Sequence, residues 1–84
     1  MSTTIANASI EVQIQGFTYI KDFAFITFKR DDKINRVIIG SKTDCPMSEM
    51  FIMKQASSVT LTALQPKTVN GVEYLNYRLE SINF

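Results

Sequence analysis

Apolar and polar residues alternate in steps of two along most of this chain, most clearly in its last third. Val59, Leu61 and Ala63 alternate with Ser58, Thr60 and Thr62, which puts apolar side chains on one face of a strand and hydroxyls on the other. Asn70-Gly71 follows, a pair that readily takes positive φ, flanked by β-branched and aromatic residues. Ser57 to Phe84 therefore reads as a long β-hairpin. Tyr74, Leu75, Tyr77, Leu79, Ile82 and Phe84 carry the apolar mass of its return strand, and Gln65 to Val69 is expected to form a long tip.

Earlier in the chain, Ile10, Val12 and Ile14 alternate with Glu11, Gln13 and Gln15 in a first strand. Gly16 interrupts that strand, and a bulge there would bring Phe17 and Tyr19 back onto the face of Val12 and Ile14. Lys21-Asp22 is a plausible turn. Phe23 to Phe28 is apolar on both faces and is expected to be central or buried. Lys29 to Lys33 forms a charged tip, and Ile34 to Gly40 a third strand. The period then changes. Asp44-Cys45-Pro46 resembles a helix start, with Thr43 or Asp44 available as a cap. Met47, Met50, Phe51 and Lys54 follow at helical spacing, so Pro46 to about Gln55 is read as one short helix that caps a core. Met1 to Ser9 is small and polar, a flexible arm.

The order strand, strand, strand, short helix, strand, strand fits a five-stranded Greek-key barrel of the OB type, all-β with one helix. An open α+β sheet with the helix on one face is the alternative. The two differ in whether the first strand pairs at both edges of the sheet.

Composition narrows the chemistry more than the fold. With 84 residues there is room for one domain, residues 1–84. No apolar run approaches a membrane span, and no basic segment leads into an apolar one at the start, so a cytoplasmic protein without membrane contact is expected. The chain has no histidine and one cysteine, Cys45, which leaves out an internal disulfide and the histidine-based catalytic and zinc chemistries. Cys45 precedes a helix start, where the dipole would favour its thiolate, but without a histidine partner it is read as a small buried hydrophobe. Asp31-Asp32 is the sole adjacent acidic pair and is assigned to a turn rather than a metal. No glycine-rich phosphate loop or paired-carboxylate arrangement is present, so no catalytic residue, metal or cofactor is assigned and the protein is read as no enzyme.

The segment Ser58 to Leu64, the Asn70-Gly71 turn and the closing Leu79 to Ile82 resemble the fourth and fifth strands of single-stranded DNA-binding OB-folds. These comprise bacterial single-strand binding proteins, primosomal replication protein B and the small helix-destabilising proteins of phages. Thr62 or Ala63 stands where those strands usually carry a glycine, and tryptophan is absent. The resemblance implies single-stranded DNA as partner, with RNA, a host replication protein and a second copy in a homodimer as further candidates, and a phage or plasmid origin.

Single strands are held by aromatic faces stacked on bases and by cations along the backbone. The candidates are Phe17, Tyr19, Tyr74 and Tyr77 with Lys21, Lys29, Arg36, Lys67 and Arg78. Phe23, Phe25, Phe28 and Phe51 are assigned to the core; for the three tyrosines core and stacking roles both stand. The competing reading is a protein-binding module that uses a strand edge or a Met47, Met50, Met53 patch. A third is a subunit of a larger assembly.

Overall fold

A computed structural model describes Ser9–Phe84; most of the polar arm lies outside these residues, and Ser9 itself opens the first strand. The elements are β1 (Ser9–Val12), β2 (Ile14–Ile20), β3 (Phe23–Arg30), β4 (Lys33–Ser41), α1 (Met47–Gln55), β5 (Ser58–Val69) and β6 (Val72–Asn83). The strands make one six-stranded sheet in the order β1-β5-β6-β4-β3-β2. All pairs are antiparallel except β4 with β6, which run parallel and are joined at Ile38 and Asn76.

The opening strand is divided. β1 pairs with β5 at one margin of the sheet and β2 pairs with β3 at the other, with Gln13 alone between them. One nearly continuous run of chain thus forms both margins. Just beyond the break, Ile14 faces Phe28 and Gly16 faces Thr27, so Gln15 is an extra residue on β2. That bulge shifts the side-chain parity by one. Phe17 and Tyr19 therefore pack on the same core as Val12 and Ile14.

Two-residue turns link the hairpins. Asn70 (φ 54°) and Gly71 (φ 77°) join β5 to β6, while Asp31 (55°) and Asp32 (64°) join β3 to β4; successive left-handed residues match the strand twist. Gln65 to Val69 is not a tip but paired strand: Lys67 faces Tyr74 and Val69 faces Val72. The register slips between Leu64 and Lys67 around Pro66, which has no amide proton to give a ladder.

β3 and β4 are covered on one face along their length and on the other around Phe25 and Ile38, in keeping with the two-sided apolar pattern of Phe23 to Phe28. Ala24, Ile26, Phe28, Val37 and Ile39 join Val12, Ile14, Val59 and Leu61 in the main core. Phe25 and Ile38 point the other way and meet Val69 from the β5–β6 hairpin, with Ile20, Phe23 and Tyr74 around them. The second cluster exists because the hairpin bends over this outer face.

The helix is rotated from its expected setting. Met50, Met53 and the following Ala56 are buried at spacings of three, whereas Met47 is 54% and Phe51 50% exposed and Lys54 is exposed. Ala56 continues this buried side, and its amide closes the last turn on the carbonyls of Ile52 and Met53. The methionines therefore form no surface patch, and Phe51 only rests edge-on against Phe17 at 5.2 Å between ring centroids. Pro46 is the N-cap, and neither Thr43 nor Asp44 caps the helix by a side-chain hydrogen bond. Among the described residues, no helix is long and apolar enough to cross a membrane.

Candidate nucleic-acid interface and the β4–β6 cleft

Strand alternation sorts the candidate residues. On β3, Ala24, Ile26 and Phe28 enter the core, so Phe23, Phe25, Thr27 and Lys29 take the outer face. On β4, Val37 and Ile39 enter the core, so Arg36 and Ile38 face outward. Thr27 pairs with Arg36 and Lys29 with Ile34, which makes Lys29 and Arg36 diagonal neighbours on that face. Lys67 reaches the same surface from β5: its ammonium lies 5.1 Å from the Phe23 ring centroid. Tyr74 reaches it from β6, edge-on to Phe25 at 4.7 Å. Lys21 is exposed in the turn between Ile20 and Phe23.

The remaining candidates lie elsewhere. Phe17 packs against both Phe51 and Tyr19 on the core side. The Tyr19 hydroxyl donates to the Cys45 carbonyl at 2.6 Å, and Lys42 stands 5.9 Å from its ring centroid. Partial burial, and then Cys45, pushes the Tyr19 phenol above its usual range. Tyr77 is half-buried against the core. Arg78 gives both Nε (2.9 Å) and Nη2 (2.7 Å) to one oxygen of Glu80, which also accepts from Thr62 at 2.8 Å. Those hydrogen bonds, Arg78 first and Thr62 second, hold the Glu80 carboxyl below its usual range.

Sequence reasoning missed Phe23, which lies half-buried on the outer face under Lys67 instead of inside the core. The signal was present: three apolar residues in succession, Phe23-Ala24-Phe25, cannot all point inward on one strand. The approach of Lys67 left no trace, because it depends on how the hairpin bends.

A cleft of about 530 Å³ opens where β4 and β6 separate on one side of their single paired position. Ile39, Cys45 and Leu79 line its inner part, with Ile38 and Tyr77 beside them. The hairpin contributes Lys67 and Arg78 to the lining, and the segment entering the helix contributes Asp44 and Glu49. A smaller cleft of about 280 Å³, also bordered by Tyr77, lies toward the β3–β4 turn.

Cys45 is 6% exposed, with its thiol directed at the Ile39 carbonyl (3.9 Å). Burial first, then the charges of Glu49 and Asp44, pushes this thiol up. The helix dipole does not make it a thiolate. Among the described residues, no three histidine, cysteine, aspartate or glutamate side chains gather to hold a metal. Comparison with family models, with curated proteins and with solved structures finds no match to this chain.

Proposed function

We propose that this chain is a non-catalytic single-stranded DNA-binding protein on a five-stranded OB-type Greek-key barrel, with the strand crossing the outer face of β3 and β4. The barrel reading is supported by the run Ser9–Ile20, which supplies both margins of the sheet and lacks only Gln13 between its halves. It is supported again by α1, which stands between the third and fourth strands of that count and buries Met50 and Met53 in the core.

One observation carries the functional reading. Lys29, Arg36 and Lys67 share the outer face with the half-buried rings of Phe23 and Tyr74. Cations spaced along a surface with aromatic rings between them suit a flexible polyanion whose bases are free to stack. Lys21 extends the same edge. Phe17 and Tyr19 take no part, since their rings serve the packing between β2 and α1.

Titration of labelled oligo-dT at low and high salt tests this. Binding weakens steeply as salt rises, and Lys29→Ala, Arg36→Ala and Lys67→Ala each flatten the logarithmic salt slope by ~0.7 at unchanged Tm. Absence of binding at low salt would overturn the reading.

A second reading rests on a different surface. Met47 (54%), Phe51 (50%) and Ile52 (47%) put three large apolar side chains on the exposed side of α1, beside Ser48, Lys54 and Gln55, as suits a protein-binding module. Recovery of one stoichiometric protein partner, with no shift of DNA, would select it.

A further inference from the structure

The 530 Å³ cleft is continuous with the proposed DNA path, because Phe23 and Lys67 belong to both. It passes from the outer face, at Phe23 and Ile38, to residues of the main core, Ile39, Cys45 and Leu79. Its volume lies within the range of sites that enclose small organic molecules. Its width follows from the topology. Beyond the Ile38–Asn76 pair no ladder holds β4 against β6, and the Asn76 side chain is instead turned to β5, where it donates to the Gln65 carbonyl at 3.2 Å.

The charges on this cleft are divided between elements. Lys67 and Arg78 come from the hairpin; Arg78 is engaged by Glu80, whereas Lys67, over the Phe23 ring, has no carboxylate partner among the described residues. Asp44 and Glu49 come from the start of the helical segment, and both border the cleft on that side. The Asp44 amide is held by the Ser41 hydroxyl at 3.1 Å, which orders the loop that presents it.

Two carboxylates exclude a phosphate from that side and accept hydrogen bonds without donating any. Whatever enters beside them must therefore offer N–H groups, while its phosphate stays near Lys67. An unstacked base with its backbone outside has that polarity. The bases differ in what they offer. Thymine presents one imino N–H between two carbonyl oxygens, which a carboxylate repels. Cytosine and adenine present an amino group beside an acceptor nitrogen. Guanine presents adjacent imino and amino donors, which fit one carboxylate through two parallel hydrogen bonds.

We propose that the cleft between β4 and β6 receives one unstacked base of the bound strand, and that Asp44 and Glu49 select guanine. The proposal rests on the reading of the outer face as a single-strand path. Tyr77, Ile38 and Leu79 give the base apolar walls, and Lys67 holds the phosphate at the mouth.

The test compares an all-dT oligonucleotide with the same oligonucleotide carrying one central dG, at fixed low salt. The dG strand binds about tenfold tighter to the unaltered protein, the discrimination expected of one good bidentate contact. In the Asp44→Asn/Glu49→Gln double variant the two affinities become equal, while that for all-dT rises because two negative charges are gone. A purely electrostatic role for the carboxylates would raise both affinities alike and leave the ratio untouched, which would overturn the proposal. Glu49→Gln alone, checked by thermal melting, serves if the double variant does not fold. Binding of all-dT without dG preference removes the base pocket and leaves the functional reading standing. If all-dT does not bind at all, both fall.

Discussion

The Tyr19 hydroxyl donates a hydrogen bond of 2.6 Å to the carbonyl of Cys45 and so ties β2 to the loop that leads into α1. The bond spans 26 positions of sequence and holds the loop that carries Asp44 and Cys45 to one face of the cleft. Tyr19→Phe keeps the ring against Phe17 but leaves that carbonyl without this donor. We expect a loss of stability. At roughly 4–8 °C per kcal/mol for a domain of this size, the melting temperature falls visibly. Affinity for oligo-dT stays unchanged, because the ring lies off the outer face. A loss of binding without a loss of stability would put Tyr19 in the interface instead.

Gly40 and Gly71 both have positive φ, but their surroundings differ. At Gly40 (φ +147°) an added Cβ would stand 3.2 Å from the Cys45 sulfur, whereas at Gly71 (φ +77°) it would meet nothing within 4 Å. Gly71→Ala therefore carries only the backbone cost, ~1–2 kcal/mol. Gly40→Ala adds a steric cost beside a buried thiol and loses more. Urea denaturation of the two variants checks the order, and equal losses would show that the loop at Cys45 gives way freely.

Alkaline pH acts through Cys45. Its folded thiol is raised above the ordinary range, whereas the unfolded thiol titrates at about 8.5. Above that pH the unfolded chain releases a proton that the folded protein retains, so stability is full below the unfolded value and declines as pH rises toward the folded one. Tyr19, also raised, extends the decline to higher pH. Urea midpoints at pH 7 and pH 9.5 should differ for the unaltered protein and converge for Cys45→Ala. A difference that survives the substitution would assign the alkaline loss to other groups.

The strand assignments were readable wherever local chemistry set them. The Asn70-Gly71 turn and the two-sided pattern of Phe23 to Phe28 appear as expected, because backbone conformation and alternation are written in adjacent residues; the parity shift near Gly16 was open in the sequence, and the extra residue Gln15 decides it. The helix was readable in extent but not in rotation. Apolar side chains surround it, so spacing alone did not choose between Met47–Phe51 and Met50–Met53; packing of Met50 and Met53 into the main core did. The candidate interface was legible in part for the same reason. Lys29 and Arg36 follow from strand parity, but the meeting of Lys67 with Phe23, and the opening of a cleft beside Asp44 and Glu49, come from the bend of the β5–β6 hairpin. That bend is a tertiary event, and no short stretch of sequence encodes it.

Ser9 stands opposite Thr62, 53 positions further along the chain. While the polypeptide is being synthesised, the β1 segment therefore waits for a partner that emerges after β2, β3, β4 and α1 are already complete. The β2–β3 and β3–β4 hairpins are local and can assemble first, whereas docking of β1 bears the entropy of closing a long loop, 53 positions between Ser9 and Thr62. High contact order of this kind slows folding toward the millisecond-to-second range, and it makes the joining of β1 to β5 a late step in reaching the native state.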